Sequence, residues 1–383
     1  MIYLDNAAST KPKQEVIDVM VESMKENFAN ADAIHEFSHK IAQKIKKSRK
    51  IVGDFLGVDG NRIFFTAGGG DGNNLLLQGI IEANSRTKKH LITTKIEHPT
   101  VFENFRYYEQ KGFEVDYLDV DKEGYVNTEQ LKNLLREDTL IVSIGAVNSE
   151  TGAIQNLEGI GKIIKEKSKD IYFHTDFVQG LGTVDDIKFD EIPVDAITMS
   201  GHKIYAPKGI GAIYLKKDVK VINVVKGENS ENGIVKRTMP TELIFAFTKA
   251  VELLQKNYKN DMKKIQELKE KFAEEIEKNI ENVKFNSGFD IKKSSPKILN
   301  VSFKGAKGEV LAHFLGMNEI YVSTGSACSS KTGNSRILEA MKLDPSEING
   351  AIRFSFSIYN TLEEISEVVT VLKSSVERIR KMR

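Results

Sequence analysis

The chain lacks the features that would form disulfides, bind metal through several cysteines or cross a membrane. Its 383 residues include one cysteine, which excludes an internal disulfide and a multi-cysteine metal centre, so we predict no metal site. The 55 Lys and Arg residues nearly balance the 54 Asp and Glu residues. Proteins that bind nucleic acids or membrane surfaces usually show an excess of one charge sign.

Long apolar runs are also missing. No run approaches the roughly 20 residues that a membrane-spanning helix needs. The opening MIYLDNAAST has neither the basic region nor the apolar region of a signal peptide. We therefore expect a cytoplasmic protein that binds neither nucleic acid nor membrane.

The region from about residue 50 to 215 alternates apolar runs with amphipathic stretches. Several of the runs are almost continuously apolar, as in strands buried on both faces of a parallel sheet. This alternation predicts an α/β domain with a mainly parallel seven-stranded sheet. The predicted strands are IFFTAG (63–68), HLITTKI (90–96), FEVDYLDV (113–120), LIVSIGAV (140–147), DIYFHTD (170–176), AITMSG (196–201) and GAIYLKK (211–217).

The pattern changes after about residue 240. Residues 242–282 form one long charged amphipathic stretch, whose Lys/Glu face is typical of solvated helix surface. Three short apolar runs and a final helix follow, which predicts a smaller α+β domain. We expect an N-terminal segment (1–15) that packs with this small domain, a large α/β domain (16–245) and the small C-terminal domain (246–383).

One lysine follows the end of a predicted core strand. In SGHKIYAPKGIGAIY (200–214), Lys203 lies between such a strand and a Pro/Gly loop. Buried lysines with a lowered pKa form Schiff bases, and Ser200 and His202 beside it could bind a phosphate. A solvated lysine in a turn is the alternative for the His-Lys pair alone.

Three other strand ends carry polar residues. Asp176 and Gln179 follow one strand, His98 follows another, and the glycines of TAGGGDGNN join a third strand to a helix. A carboxylate can hold a pyridine nitrogen protonated, an imidazole can stack or move protons, and a glycine-rich helix start can bind phosphate. Each could also be a helix cap or a tight turn. Together they converge on the crevice where α/β sheets bind ligands.

The single cysteine lies in a polar loop. Cys328 of VSTGSACSS (322–330) is surrounded by Ser, Gly and Ala. A lone cysteine is by default a small buried hydrophobe, whereas a thiol on such a loop can accept a group from a substrate. Local sequence leaves both interpretations open.

These segments, in this order, resemble the NifS/IscS-like cysteine desulfurases, class V enzymes of the fold-type-I pyridoxal-phosphate group. The resemblance extends from YLDNAAST (3–10) to IRFSFSIYNTLEEI (352–365). It is most specific in SGHKIYAPKGIGAIY and STGSACSS, and EHPTV and HTDFVQ reinforce it.

The resemblance implies pyridoxal 5'-phosphate as the cofactor. Lys203 would hold it covalently and shuttle protons, His98 would stack on its ring, and Asp176 would pair with the pyridine nitrogen. Gln179 and Ser149 would contact the ring hydroxyl region. Around the phosphate it implies Gly69, Gly70, Ser200, His202 and, from the second subunit of a homodimer, Thr238.

It also implies L-cysteine as the substrate. Arg353 would bind the substrate carboxylate, Asn148 would help to place the substrate, and Asn30 and His35 would lie where the substrate enters. Cys328 would take the sulfur as a persulfide while L-alanine is released. The acceptor would be an iron–sulfur scaffold or a tRNA-thiolation protein.

Several residues depart from the family pattern near the implied cofactor. Gly70 lacks a threonine hydroxyl, Phe177 replaces a small residue expected under the ring, and Ser149 replaces an asparagine. The usual glycine-rich stretch is absent at 226–233, and the Arg-x-Gly-Thr motif becomes Val235-Lys236-Arg237-Thr238. Asn30 is followed by Ala31-Asp32-Ala33 rather than Pro-Ser-Ser.

Two alternatives follow from these departures. One is a pyridoxal-phosphate lyase or desulfurase that acts on selenocysteine or a cysteine derivative. The other is a weakly active cofactor-binding partner subunit. Retention of Lys203, Asp176, His98, Arg353 and Cys328 favours an active cysteine desulfurase.

Overall fold

The structure, a computed structural model, describes residues 1–184, 187–227, 233–324 and 335–382. Cys328 and the middle of the 226–233 stretch lie outside these ranges, so the predicted role of Cys328 stays a prediction.

Within the described ranges, the strands form a large sheet and two smaller ones. The seven predicted strands are all present, and most end earlier than the apolar runs that predicted them. In chain order the strands are β1 (Ile2–Tyr3), β2 (Ile63–Thr66), β3 (His90–Thr94), β4 (Glu114–Leu118), β5 (Thr139–Ser143), β6 (Tyr172–Asp176), β7 (Ala196–Ser200), β8 (Gly211–Leu215), β9 (Val283–Phe285), β10 (Ile298–Phe303), β11 (Ile320–Tyr321) and β12 (Ala351–Ser355).

The large sheet has the strand order β2-β8-β7-β6-β5-β3-β4. The pairs from β7 to β4 are parallel, whereas β8 is antiparallel to both β7 and β2. Every residue of β3, β5, β7 and β8 is buried, while β4 at the edge is partly exposed. The carboxyl ends of β2, β3, β5, β6 and β7 therefore meet at one edge of the sheet, as the sequence predicts.

Helices pack on both faces of this sheet and on the small sheet β12-β10-β9. Side-chain caps fix several of their starts, such as Asn127, Asn156 and the Thr361–Glu364 capping box. In chain order the helices are α1 (Gln14–Glu26), α2 (Glu36–Leu56), α3 (Gly69–Asn84), α4 (Pro99–Gln110), α5 (Thr128–Leu134), α6 (Leu157–Lys167), α7 (Thr241–Asn279), α8 (Gly308–Met317), α9 (Arg336–Ala340), α10 (Pro345–Asn349) and α11 (Leu362–Lys381).

The 39-residue helix α7 joins two hydrophobic cores. Its first half, including Phe247 and Leu254, packs in the core of the large sheet. Its second half, including Met262 and Phe272, packs in the core around the small sheet. The domain boundary predicted near residue 245 thus lies inside a continuous helix, and the division into domains stays a prediction.

The N-terminal segment connects to the small sheet. β1 pairs in parallel with β11, and Asp5 forms an isolated bridge with Ser355 at the end of β12. Within the part of the chain that the structure describes, no helix combines the length and apolar character that crossing a membrane requires.

Candidate active site

A cavity of about 490 Å³ opens at the carboxyl ends of the large sheet's parallel strands. It lies between those ends, the N-terminal segment and β12 of the small sheet. Residues predicted from separate parts of the sequence line this one cavity: Gly69, Gly70, His98, Asn148, Ser149, Asp176, Gln179, Ser200, His202, Lys203 and Arg353.

Lys203 ends a short 3₁₀ turn, Gly201–Lys203, that directly follows β7. Its Nζ donates hydrogen bonds to the carbonyl oxygens of Ala7 at 2.6 Å and Ala8 at 2.8 Å. Burial, followed by the positive charge of Arg353, lowers the pKa of Lys203 to about 8. A substantial fraction of this amine is therefore neutral near pH 8, which is the form that attacks a carbonyl carbon.

Asp176 ends β6 and is held by two donors. Its Oδ1 accepts from the backbone N–H of Val178 at 2.9 Å, and its Oδ2 accepts from Asn73 Nδ2 at 2.8 Å. Gln179, one turn further, donates from Nε2 to the Ala7 carbonyl at 2.8 Å. The carboxylate is thus buried, oriented and available to a protonated ring nitrogen.

The corner between β2, β7 and the start of α3 presents donors for an anion. Gly68, with φ of 138°, caps α3, and a side chain at Gly69 would place Cβ 2.5 Å from Val178 Cγ2. The corner therefore requires glycine at 69, which exposes the backbone N–H groups at the helix start.

Two side chains of the β7 turn face the same corner. Ser200 is buried, and burial, followed by the Lys203 charge, lowers the pKa of His202 to about 4. The Nδ1 atom of His202 is buried and has no hydrogen-bond partner among the described residues. An unpartnered buried ring nitrogen is the kind of group that a bound ligand satisfies.

Arg237 reaches this corner as well. Its Nη1 lies 3.9 Å from Asp71 Oδ2, and Asp71 accepts from the backbone N–H of Ala67 in the glycine-rich loop. A guanidinium therefore stands near the loop even though the family's motif arginine is replaced by Val235.

Arg353 lies on β12 with its guanidinium held at two points. Nη2 donates to Asp5 Oδ1 at 2.7 Å, and Nη1 donates to the Ser149 carbonyl at 2.9 Å. Its buried Nε has no partner within the described ranges. One edge of a fixed guanidinium therefore remains for a carboxylate.

His98 caps α4 from the end of the segment that follows β3. Its ring is part of the cavity lining. The cavity walls partly desolvate the ring, and this desolvation lowers the pKa of His98. Next to it, Glu97 is buried, and desolvation raises the pKa of Glu97 to about 7. Arg336 anchors this segment through hydrogen bonds to the carbonyls of Lys95 and Glu97, and its guanidinium stacks 3.8 Å above the Phe102 ring centroid.

The cavity residues fit pyridoxal phosphate, the cofactor implied by the resemblance. Lys203 offers a half-buried amine of lowered pKa, and Asp176 offers an oriented carboxylate. The α3 start and the unpartnered His202 Nδ1 offer donors for a phosphate. These groups follow the carboxyl ends of β7, β6 and β2 at one edge of the sheet, as a ring with a formyl group, a basic nitrogen and a phosphate would require.

Phe177 turns away from the cavity, which is one of the two placements that the sequence leaves open for a phenyl group at this position. This side chain is buried in the core, with its ring perpendicular to Phe189 at a centroid distance of 5.0 Å. It does not belong to the cavity lining; Val178, the next residue, does. The phenyl group therefore packs in the core, and Val178 is the apolar side chain of this turn that lines the cavity.

Three predicted residues lie outside the lining that the described residues form. Asn30 is exposed and accepts from the Asp32 N–H, His35 caps α2, and Thr238 is exposed. The resemblance implies that Thr238 reaches the cavity of the other subunit in a homodimer. The roles of all three stay predictions.

Asn148 and Ser149 line the cavity, and their hydrogen bonds join them to other residues of the cavity wall. Asn148 Oδ1 accepts from the N–H groups of Glu150 and Thr151, and its Nδ2 donates to the Ile96 carbonyl at 3.1 Å. Ser149 contributes the carbonyl that holds Arg353. Both residues therefore shape the wall, and their contacts to a ligand stay predictions.

Sequence reasoning missed several residues of this site. Asp5, Asn73, Glu97, Glu150 and Arg336 all line the cavity. Asp5 is part of the recognised YLDNAAST segment, which could have pointed to it. Glu97 and Asn73 likewise belong to the segments EHPTV and TAGGGDGNN, whereas Glu150 and Arg336 carried no distinctive local signal.

Comparison with known proteins agrees with this geometry. The aminotransferase class-V family model matches residues 2–368. Cysteine desulfurase IscS of Clostridium botulinum (strain Kyoto) is 39% identical over 382 residues, which cover 100% of this chain and 96% of that protein. A solved NifS-like protein superimposes with a TM-score of 0.92 at 31% identity, covering 98% and 99% of the two chains.

A solved structure of SspA in complex with cysteine superimposes with a TM-score of 0.82 at 31% identity, covering 94% of this chain and 100% of that one. The fold, the cavity residues and these full-length matches agree on one assignment. The chain belongs to the aminotransferase class-V family and, within it, to the pyridoxal-phosphate-dependent cysteine desulfurases.

Proposed function

We propose that this chain removes sulfur from L-cysteine, takes it onto Cys328 as a persulfide and releases L-alanine. The observation that carries the proposal is the convergence of Lys203, Asp176 and Arg353 on one cavity. Support also comes from the cysteine desulfurase names of its relatives and from cysteine in the SspA structure.

When bound, pyridoxal phosphate supplies an electron-withdrawing ring that stabilises negative charge on the substrate carbon. Lys203 would hold the cofactor and exchange protons, because its amine is half-buried and its pKa is lowered to about 8. Asp176 would keep the ring nitrogen protonated. His98, on the cavity wall, would stack on the ring and assist proton transfer.

Arg353 would bind the substrate carboxylate through its unpartnered Nε edge, while Asp5 and the Ser149 carbonyl keep the guanidinium in place. The Cys328 thiolate would form a bond with the substrate sulfur as the carbon–sulfur bond breaks, and the carbon would take a proton to give alanine. The persulfide would then pass to an iron–sulfur scaffold or a tRNA-thiolation protein. Thr238 would complete the phosphate site of the second subunit of a homodimer.

The test is the intact mass of the cofactor-loaded protein after brief exposure to L-cysteine without reductant. We expect a gain of one or more sulfur atoms in the wild type and no gain in Cys328→Ala or Cys328→Ser. Normal alanine release by Cys328→Ala would contradict transfer to this thiol.

A wild-type protein that binds cofactor but gains no sulfur would exclude L-cysteine desulfuration through Cys328. Selenocysteine and cysteine derivatives would then be tested in the same assay. Ser149 lines the cavity, and Arg237 lies beside the glycine-rich loop at the start of α3. These two departures from the family pattern are therefore the first positions to examine for altered substrate choice.

A further inference from the structure

A chain of hydrogen bonds connects Asp176 to the His98 ring. Asn73 Nδ2 on α3 donates to Asp176 Oδ2 at 2.8 Å and to Thr100 Oγ1 at 2.9 Å. Thr100 Oγ1 lies 2.8 Å from His98 Nδ1, and the Thr100 backbone N–H donates to the same nitrogen at 3.2 Å. These bonds thus link the end of β6 to the His98 imidazole through helix α3 and the first turn of α4.

The chemistry of these groups determines the direction of each bond. A carboxylate only accepts, so the amide NH₂ group of Asn73 must face Asp176, even though this leaves Asn73 Oδ1 without a partner among the described residues. A backbone N–H only donates, so Nδ1 of His98 must carry a lone pair. Because Asn73 already donates to Thr100 Oγ1, the hydroxyl hydrogen of Thr100 is available to point at the same lone pair.

We propose that Thr100, anchored by Asn73, is a positioning residue that keeps His98 neutral, with its ring proton on Nε2. The cavity then receives an imidazole of defined tautomer and defined orientation. The meaning of this arrangement for sulfur removal rests on the proposed function, but the arrangement itself is a property of the protein alone.

Protonation at Nδ1 would set the new N–H against the backbone N–H of Thr100, which can only donate, and the Thr100 hydroxyl would have to give up its bond to Nδ1 and turn to accept instead. The surrounding charges act on His98 in both directions: Asp176 favours the imidazolium, whereas Lys203 and Arg336 disfavour it. Desolvation by the cavity walls is the largest effect on the His98 pKa and lowers it, although the residue remains partly exposed. Thr100 therefore adds to the effects that oppose protonation of His98.

The space around Thr100 explains why a β-branched residue fits there. A Cβ at Gly70 would lie 3.3 Å from Thr100 Cγ2, so the threonine methyl occupies the region beside this glycine. Thr100→Val keeps this methyl and removes only the hydroxyl, whereas Thr100→Ser keeps the hydroxyl and removes the methyl. The two substitutions separate hydrogen bonding from packing.

The test is a pH titration of the full chain without cofactor, labelled with ¹⁵N-histidine and followed by NMR, with His98→Gln to assign the signal. The wild type should show an unprotonated Nδ1 and a protonated Nε2 in neutral His98. Thr100→Val should raise the His98 pKa by about half a unit to one unit, which is the effect of losing one hydrogen bond to the neutral ring. Thr100→Ser should titrate like the wild type.

Three results would overturn the proposal. The first is a neutral wild-type ring with its proton on Nδ1, which needs no Thr100 variant and so does not depend on how those variants fold. The second is a His98 pKa that is the same in Thr100→Val and the wild type. The third is an equal change in Thr100→Val and Thr100→Ser, which would assign the effect to packing. No substrate or cofactor is involved, so failure of the desulfurase assay would leave this result intact.

Discussion

Replacing Glu97 with glutamine should remove a pH-dependent loss of stability from the cofactor-free protein. The carboxyl group is buried, and it accepts from Thr94 Oγ1 at 2.8 Å and from the Gly145 N–H at 3.0 and 3.1 Å. Desolvation is the largest effect on it and raises its pKa from 4.5 to about 7. Glutamine has the same shape and stays neutral. Its amide oxygen in the place of Oε1 can accept from Thr94 Oγ1 and the Gly145 N–H, whereas the Gly145 bond to Oε2 is lost.

The sign follows from proton linkage. Between pH 4.5 and 7 the folded protein keeps the Glu97 proton that the unfolded chain has lost, so stability falls as pH rises through this window. The slope is about 1.4 kcal/mol per pH unit, and the full loss reaches about 3 kcal/mol as an upper limit. Above pH 7 both states are ionised and the loss stays constant.

The measurement is urea unfolding of the wild type and Glu97→Gln from pH 4.5 to 8.5, compared at each pH. The free energy of unfolding of the variant should rise relative to the wild type by roughly 1 to 3 kcal/mol between pH 4.5 and 7. The comparison with the wild type at each pH is needed because burial lowers the pKa values of His174 and His202 to about 4. These two histidines make the stability of both proteins rise with pH, opposite to the effect of Glu97. A pH-independent difference would refute the reasoning, and the exposed control Glu123→Gln should show none.

Two further substitutions address the cofactor and substrate residues. Lys203→Ala should abolish the visible absorbance of the cofactor-loaded protein, measured by spectrophotometry after gel filtration, while Cys328→Ala retains it; an unchanged Lys203→Ala spectrum would exclude Lys203 as the attachment residue. Arg353→Lys keeps the charge but loses the planar fork, so KM for L-cysteine should rise roughly tenfold or more. An unchanged KM would exclude carboxylate binding by Arg353.

The sheet and the strand-end residues could be predicted because the responsible signals are local. Continuous apolar runs mark strands buried on both faces, and parallel strands bring Asp176, His98 and Lys203 to one edge. The strands β1 and β9 were missed because two or three residues are too few to establish a period. Helix α7 was predicted as a long stretch because its amphipathic pattern runs unbroken.

Other parts of the site depend on contacts that no local pattern contains. Phe177 and Val178 are adjacent, and only the direction of the turn after β6 decides which one faces the cavity. Thr100 was visible within EHPTV, but its role comes from Asn73 on another helix. The raised pKa of Glu97 results from burial by segments that are far away in the sequence.

The ion pair between Asp5 and Arg353 has a consequence for the order in which the molecule is assembled. The two residues are 348 positions apart, so their contact closes nearly the whole chain into a loop. Such distant contacts carry a large entropic cost and form late in folding, after local structure exists. During synthesis, Lys203 and Asp176 leave the ribosome long before β12 does. A nascent chain therefore holds Asp5 and the residues of the large sheet without the arginine, and the cavity is completed only when the two ends of the polypeptide meet.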